Sequence, residues 1–236
     1  MFQIRKSNER GYANHDWLES YHSFSFSNYY DPKHMGFGPL RVINEDWVQP
    51  QTGFGTHGHR DMEIITYMLS GELSHKDSLG GGSTIQPNQI QRMSAGTGIR
   101  HSEMNEHRTK VAHLLQIWIE PAVTGVEPGY RDHDLDVASI TGQLGLIVTG
   151  DKVEADEQNI AFIHQDAKMY AGRLSHQSVQ RELDPTRKAY LHVAEGSVSV
   201  GNVLLQTGDA LLISGERELN FDVSEQAEVL FFDLPA

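Results

Sequence analysis

The chain has 236 residues, 38% hydrophobic and 8% aromatic, enough to bury a substantial core in one large or two small domains. It contains no cysteine, which excludes disulfides, thiolate zinc sites, iron–sulfur clusters and cysteine nucleophiles, so any metal must be held by imidazole and carboxylate. A formal net charge of −13 opposes direct binding to a nucleic-acid backbone, and no stretch approaches the ~20 apolar residues of a membrane span.

In chain order, the opening MFQIRKSNERGYANH is charged and lacks the apolar run of a secretory signal, so a cytoplasmic location is expected. Short runs rich in β-branched, Leu and aromatic residues follow, punctuated by Gly, Asn, Asp and Pro. They predict strands at Glu63–Leu69, Val111–Ile119, Tyr190–Val193, Ser197–Val200, Ala210–Ile213 and Val229–Phe232. The segment Val123 to Asp136 is polar and turn-rich and reads as a connection. Long 3.6-residue periodicity is scarce. The expected fold is therefore all-β, with two similar β-domains in tandem, 1–125 and 126–236.

Nine of the thirteen histidines precede residue 114, which assigns any metal chemistry to the first half. Two segments there share one logic. In Gly53-Phe54-Gly55-Thr56-His57-Gly58-His59, the histidines are spaced i, i+2, so on an extended strand they share one face at a repeat of roughly 6.6 Å. In Gly96-Thr97-Gly98-Ile99-Arg100-His101-Ser102-Glu103, a histidine and a carboxylate repeat that spacing after two glycines that allow a sharp turn. Two such pairs facing each other across a barrel interior would make a three-histidine, one-carboxylate shell. Asp61 and Glu63 continue the alternation of the first pair, so either could point inward, and spacing leaves open whether Glu63 is a ligand or a buried, hydrogen-bonded carboxylate. His75, His107 and His113 read as structural or solvent-exposed.

The two segments resemble the paired motifs of the cupin superfamily. His57, His59 and Glu63 fit the first motif, and Gly98, His101 and Asn105 fit the second. Gln51 departs from the usual leading Gly, Gly71 falls one residue late, and Gly96 stands where Pro is usual. More specifically, NHDWLESYHSFSFSNYYDP, GFGTHGHRDMEIITYMLSGELSHKDSLG, MSAGTGIRHSEMNE and LLQIWIEP resemble pirins, in particular the bacterial quercetin 2,3-dioxygenase branch.

The resemblance implies two cupin-like, jelly-roll barrels, with metal only in the first (1–125) and none in the second (126–236). It implies that His57, His59, His101 and Glu103 hold one divalent transition metal, and that Glu63 is structural. Fe(II) leads the candidates, followed by Cu, Ni, Co, Mn or Zn. The implied reaction opens the heterocyclic ring of a flavonol such as quercetin with O2 and releases CO, Glu103 accepting the substrate proton. An apolar wall is expected from Phe24, Phe26, Met35 and Phe37, with Gln116 as a polar contact. The competing reading is a pirin-like co-regulator whose metal state tunes binding to a protein partner. Because imidazoles bind metal only when deprotonated, occupancy is expected to fall below pH ~6.

Overall fold

The computed structural model describes residues 1–236 and is dominated by strands. The first twelve are β1 (Phe2–Arg5), β2 (Gly11–Asn14), β3 (Leu18–His22), β4 (Leu40–Val48), β5 (Thr52–His59), β6 (Glu63–Ser70), β7 (Leu73–Asp77), β8 (Gly82–Ile85), β9 (Gln89–Ser94), β10 (Ile99–Asn105), β11 (Ala112–Ile119) and β12 (Gly129–Asp134). After them come α1 (Val137–Ile140), β13 (Gly145–Thr149), α2 (Lys152–Gln158), β14 (Ala161–Phe162), β15 (Lys168–Glu182), β16 (Lys188–Val200), β17 (Val203–Gln206), β18 (Ala210–Ser214) and β19 (Glu218–Leu234). They form two compact units. One comprises Gly11–Leu135 with Ala161–Gln165, the other Met1–Arg10, Asp136–Ile160 and Asp166–Ala236.

In the first unit, one sheet runs β12-β9-β6-β11-β4-β3-β2 and a smaller one runs β5-β10-β7-β8. Along one face of β11 lie Ala112, Leu114, Gln116 and Trp118. Ala112 and Leu114 join Leu18, Val48, Met68, Leu73 and Ile85 in one apolar cluster, with Phe54 against it. Trp118 packs against a second cluster of Ile64, Met93, Ala95 and Ile99. Gln116 therefore interrupts an otherwise apolar stripe. Burying each of these Leu, Ile or Met side chains is worth about 1.5–3 kcal/mol, so the two clusters fix the frame around that polar position.

The other unit is built on the order β1-β18-β16-β19-β15-β13, with β17 paired to β16. The predicted strands at 190–193 and 197–200 are one bent strand, β16. Its register against β19 slips around Gly196, where φ is +77° and a Cβ would collide with the Gln226 carbonyl. β15 bends similarly where its register shifts between Ser175 and Gln177. The interior between these folded-over strands is apolar, with Leu191, Val193, Leu205, Phe221, Val229 and Phe231 among its residues.

Backbone pairing also divides the chain differently from the expected cut after residue 125. β1 pairs with β18, and Asp209 clasps the chain just after β1, accepting from the Ser7 N–H at 2.7 Å and pairing with Lys6 Nζ at 2.8 Å. Residues 129–134, expected within a connection, are strand β12 on β9. That segment alternates too weakly to betray a strand. Its partner strand supplies the ordering.

Candidate metal centre

His57 and His59 lie at the end of β5, and His101 and Glu103 on β10. The expectation of two strands facing across a barrel is corrected here: β5 and β10 are hydrogen-bonded neighbours, with His101 directly opposite His57. The register then slips by one, so that Glu103 pairs with Phe54. Three steps along β5 (57 to 54) match two along β10 (101 to 103), which is a bulge. Two features seat it. The Gly55 carbonyl accepts from His57 Nδ1 at 2.8 Å, and at Gly53 a Cβ would collide with the Glu103 carbonyl. On the other side, the turn from Ala95 to Gly98 closes with the Gly98 N–H on the Ala95 carbonyl at 2.9 Å, and Gly96 adopts φ +47°. The glycine-dependent turn read from the sequence is present.

The ring nitrogens of His57, His59 and His101 converge within 4.8 Å of one another. His57 Nε2 and His101 Nε2 are 3.0 Å apart. With its Nδ1 engaged by the Gly55 carbonyl, His57 turns Nε2 to that point, the arrangement that orients a metal-ligating imidazole. Burial, reinforced by the His57 ring, pushes His59 down to about 4. Burial and the rings of His57, His59 and His75 push His101 down to about 3. Both are thus unprotonated donors at neutral pH. A set of converging neutral imidazoles with a carboxylate nearby fits a divalent transition metal.

The Glu103 carboxylate stands apart from the three nitrogens and is turned onto Gln116, whose Nε2 donates to Oε1 at 3.2 Å and Oε2 at 3.1 Å. Burial raises Glu103 to about 7, against the opposing pull of that amide. Gln116 is itself held by the Trp118 indole N–H at 3.2 Å. Glu63 is buried elsewhere, accepting from Ser94 Oγ at 2.8 Å and facing His164 Nδ1 at 3.0 Å. It has a full hydrogen-bonding role of its own.

His75 is less isolated than its sequence position suggests. It stacks on Tyr130 with centroids 3.9 Å apart and lies 4.9 Å from the His101 ring, because β7 is the other neighbour of β10. His113 stacks on Trp47 and pairs with Glu45, and His107 caps a turn by accepting from the Thr109 and Lys110 N–H groups.

A cavity of about 400 Å³ opens beside this centre, with Gln116 and Phe54 on the shared wall. Of the four expected apolar wall residues, only Phe26 lines it. Phe24 is buried in the core and Met35 is 38% exposed. The remaining aromatic lining comes from Trp17, Tyr12 and Tyr29. Sequence reasoning missed the polar lining, Ser20 and His22 on β3 with Asn44 and Asp46 on β4. The available signal was alternation: Ser20 and His22 share a face, as do Asn44 and Asp46, within runs otherwise apolar enough to be buried.

A β-barrel with a histidine-rich inner face, in one chain with a second barrel of apolar interior, defines a two-domain cupin. Residues 3–119 match the Pirin family and residues 152–234 match the quercetinase C-terminal cupin domain. The chain belongs to the pirin family. It is 43% identical to quercetin 2,3-dioxygenase of Escherichia coli K12 over 237 aligned residues, covering 100% of this chain and 99% of that one. It superimposes on YhhW of Escherichia coli with a TM-score of 0.94 at 42% identity, covering 100% and 98% of the two chains. For bacterial pirin YhhW in complex with nickel(II), from the same organism, the values are 0.93, 41%, 100% and 99%. The Escherichia coli protein YhaK shares only the fold, at 23% identity and a TM-score of 0.74.

Proposed function

We propose that this protein is a metal-dependent dioxygenase that opens the heterocyclic ring of a flavonol such as quercetin. His57, His59, His101 and Glu103 hold the metal, and Fe(II) is the native ion. The observation that carries this reading is the convergence of three imidazole nitrogens within 4.8 Å of one another, beside an aromatic-lined cavity that shares Gln116 and Phe54 with their surroundings. The relatives named quercetin 2,3-dioxygenase and the nickel complex of a 41%-identical pirin support it.

When bound, a divalent metal supplies Lewis acidity toward the flavonol 3-oxygen and a site for dioxygen chemistry. The chain's own residues handle the proton and the fit. Glu103, raised to about 7, is matched to take the 3-hydroxyl proton near neutral pH. Gln116 donates to both oxygens of Glu103 and so sets the direction in which it accepts. Phe54, Phe26 and Trp17 exclude water and offer flat faces to a planar substrate. In the overall balance both atoms of O2 enter the ring-opened ester while one ring carbon leaves as CO.

The test is oxygen consumption and CO release by the Fe(II)-loaded protein with quercetin. Glu103→Gln should lower turnover by about 10²–10⁴-fold, the usual worth of a general base. Failure of the wild type to consume oxygen or release CO would overturn the reading.

A further inference from the structure

The cavity is lined by a buried carboxylate that the reaction above does not use. Asp46 on β4 is 2% exposed and lies among Ser20, His22, Asn44 and Gln116 on the polar side of the cavity. The sheet builds this side as a two-by-two patch: Ser20 is opposite Asp46, and His22 is opposite Asn44, which in turn is opposite Gln116 on β11. Within the patch His22 Nδ1 and Asn44 Oδ1 engage each other at 2.8 Å, and Gln116 is committed to Glu103. Asp46 differs from its neighbours. Ser20 Oγ donates to Oδ1, and Oδ2 has no hydrogen-bond partner in the chain. A buried carboxylate with one unoccupied oxygen on a cavity wall is costly unless a donor comes from what fills the cavity.

The cavity is also lined by the rings of Trp17, Phe26, Tyr29 and Phe54, with Phe26 and Tyr29 lying against His22 at the margin of the polar patch. Its volume of about 400 Å³ lies within the range of sites for small planar ligands. A planar ligand seated among those rings, with one end at Gln116, whose amide leads on to Glu103, can present an edge to the β3–β4 patch. The donor that such an edge can offer is an aromatic hydroxyl.

We propose that Asp46, braced by Ser20, recognises a ring hydroxyl of the substrate away from its metal-binding end and thereby selects polyhydroxylated over unsubstituted flavonols. The inference rests on the flavonol reading of the cavity and adds the residue that determines specificity within that class. Asp46 is a recognition residue and does not act on the reacting atoms.

The test measures binding on the metal-loaded protein held free of oxygen, by calorimetry, with quercetin and with 3-hydroxyflavone, which keeps the metal-binding end and lacks the other hydroxyls. Wild type should prefer quercetin, and Asp46→Asn should weaken quercetin binding by about 10–100-fold, the worth of a hydrogen bond to a charged group, with 3-hydroxyflavone and metal content little changed. Ser20→Ala keeps the carboxylate but loses its brace. It should give the same selective loss at smaller size, and it carries the test if Asp46→Asn fails to fold. Equal weakening of both ligands would mean a merely structural role and would overturn the proposal, as would retained discrimination in the variants. Oxygen consumption is measured in parallel. Turnover without Asp46-dependent discrimination sinks this inference alone, whereas discrimination without turnover sinks the dioxygenase reading and leaves the recognition role standing. A wild type that binds neither flavonol overturns both.

Discussion

At the scale of single residues, the centre separates carboxylates that look alike in sequence. Glu63 and Glu103 both follow histidine-bearing strand ends, and both are buried. Glu63 already has both oxygens engaged, Oε2 by Ser94 and Oε1 by His164. Glu103 is held only by the amide of Gln116. Glu63→Gln should therefore retain bound metal while losing about 1–3 kcal/mol of stability through its disturbed buried hydrogen bonds. His101→Ala should lose metal affinity by more than the roughly 10–100-fold that outer-sphere partners are worth. Elemental analysis after dialysis decides between them, and full metal content in His101→Ala would remove that residue from the site. The i, i+2 spacing made the two pairs legible, because period-two geometry is local. The involvement of His75 was not legible, since it reaches His101 only through the pairing of β7 with β10.

At the scale of elements, the site depends on how β5 meets β10. The register slip between His101 and Glu103 brings Gly53 onto the backbone of Glu103, where a side chain has no room. At Gly55 on the same strand a Cβ would meet nothing within 4 Å, and the backbone there is not left-handed. Gly53→Ala should thus cost about 1–3 kcal/mol by overpacking and displace the strand that carries Glu103. Gly55→Ala should fold normally and bind metal. Thermal unfolding compares them directly: at about 2–4 °C per kcal/mol for a chain of this size, the Gly53 variant should melt several degrees lower. Equal melting temperatures would show that the ladder does not depend on this close approach. The sequence announced both glycines and could not rank them. Their difference lies in which partner strand passes behind each one, a long-range fact. The cavity lining was hidden for the same reason: Asn44 and Asp46 read as ordinary strand residues until β3 and β11 are set on either side of β4.

At the scale of the whole molecule, proton linkage opposes two sets of groups. His59 and His101 are held near 4 and 3, below their ordinary 6.5, so the unfolded chain takes up protons first as pH falls through 6.5 and stability declines toward those lower values. Glu103 and Asp46 are raised to about 7, so the folded chain holds their protons longer. Their stabilisation is fully present below the ordinary carboxylate range and is lost as pH rises through 7. Between about pH 4.5 and 6.5 the two carboxylates pull against His59, His101 and also His75, which burial lowers, so the imidazoles outweigh the carboxylates and stability declines gently as pH falls. Below that window the imidazoles are joined by lowered carboxyls such as Asp209 and Glu154: burial raises each, but hydrogen bonds, foremost from Lys6 and Lys168 respectively, outweigh it. The metal-free protein should accordingly show a melting temperature that peaks near pH 6.5, declines gently toward about 4.5 and more steeply below it, and falls again as pH rises through 7.

Metal changes the alkaline side most, because a cation beside ionised Glu103 compensates the buried charge that destabilises the metal-free form. Below pH 7 binding must displace the Glu103 proton, while His59 and His101 need lose none until about 4 and 3. With Glu103 among the ligands, its proton release adds a decline that starts near 7 to the limit of pH ~6 expected for ordinary imidazoles. The melting-temperature rise on adding metal should be larger at about pH 8 than at about pH 5, and Glu103→Gln should flatten that difference. A rise that is larger at the acidic end would contradict the placement of Glu103 among the ligands, since no group at the centre would then be releasing a proton to the incoming ion.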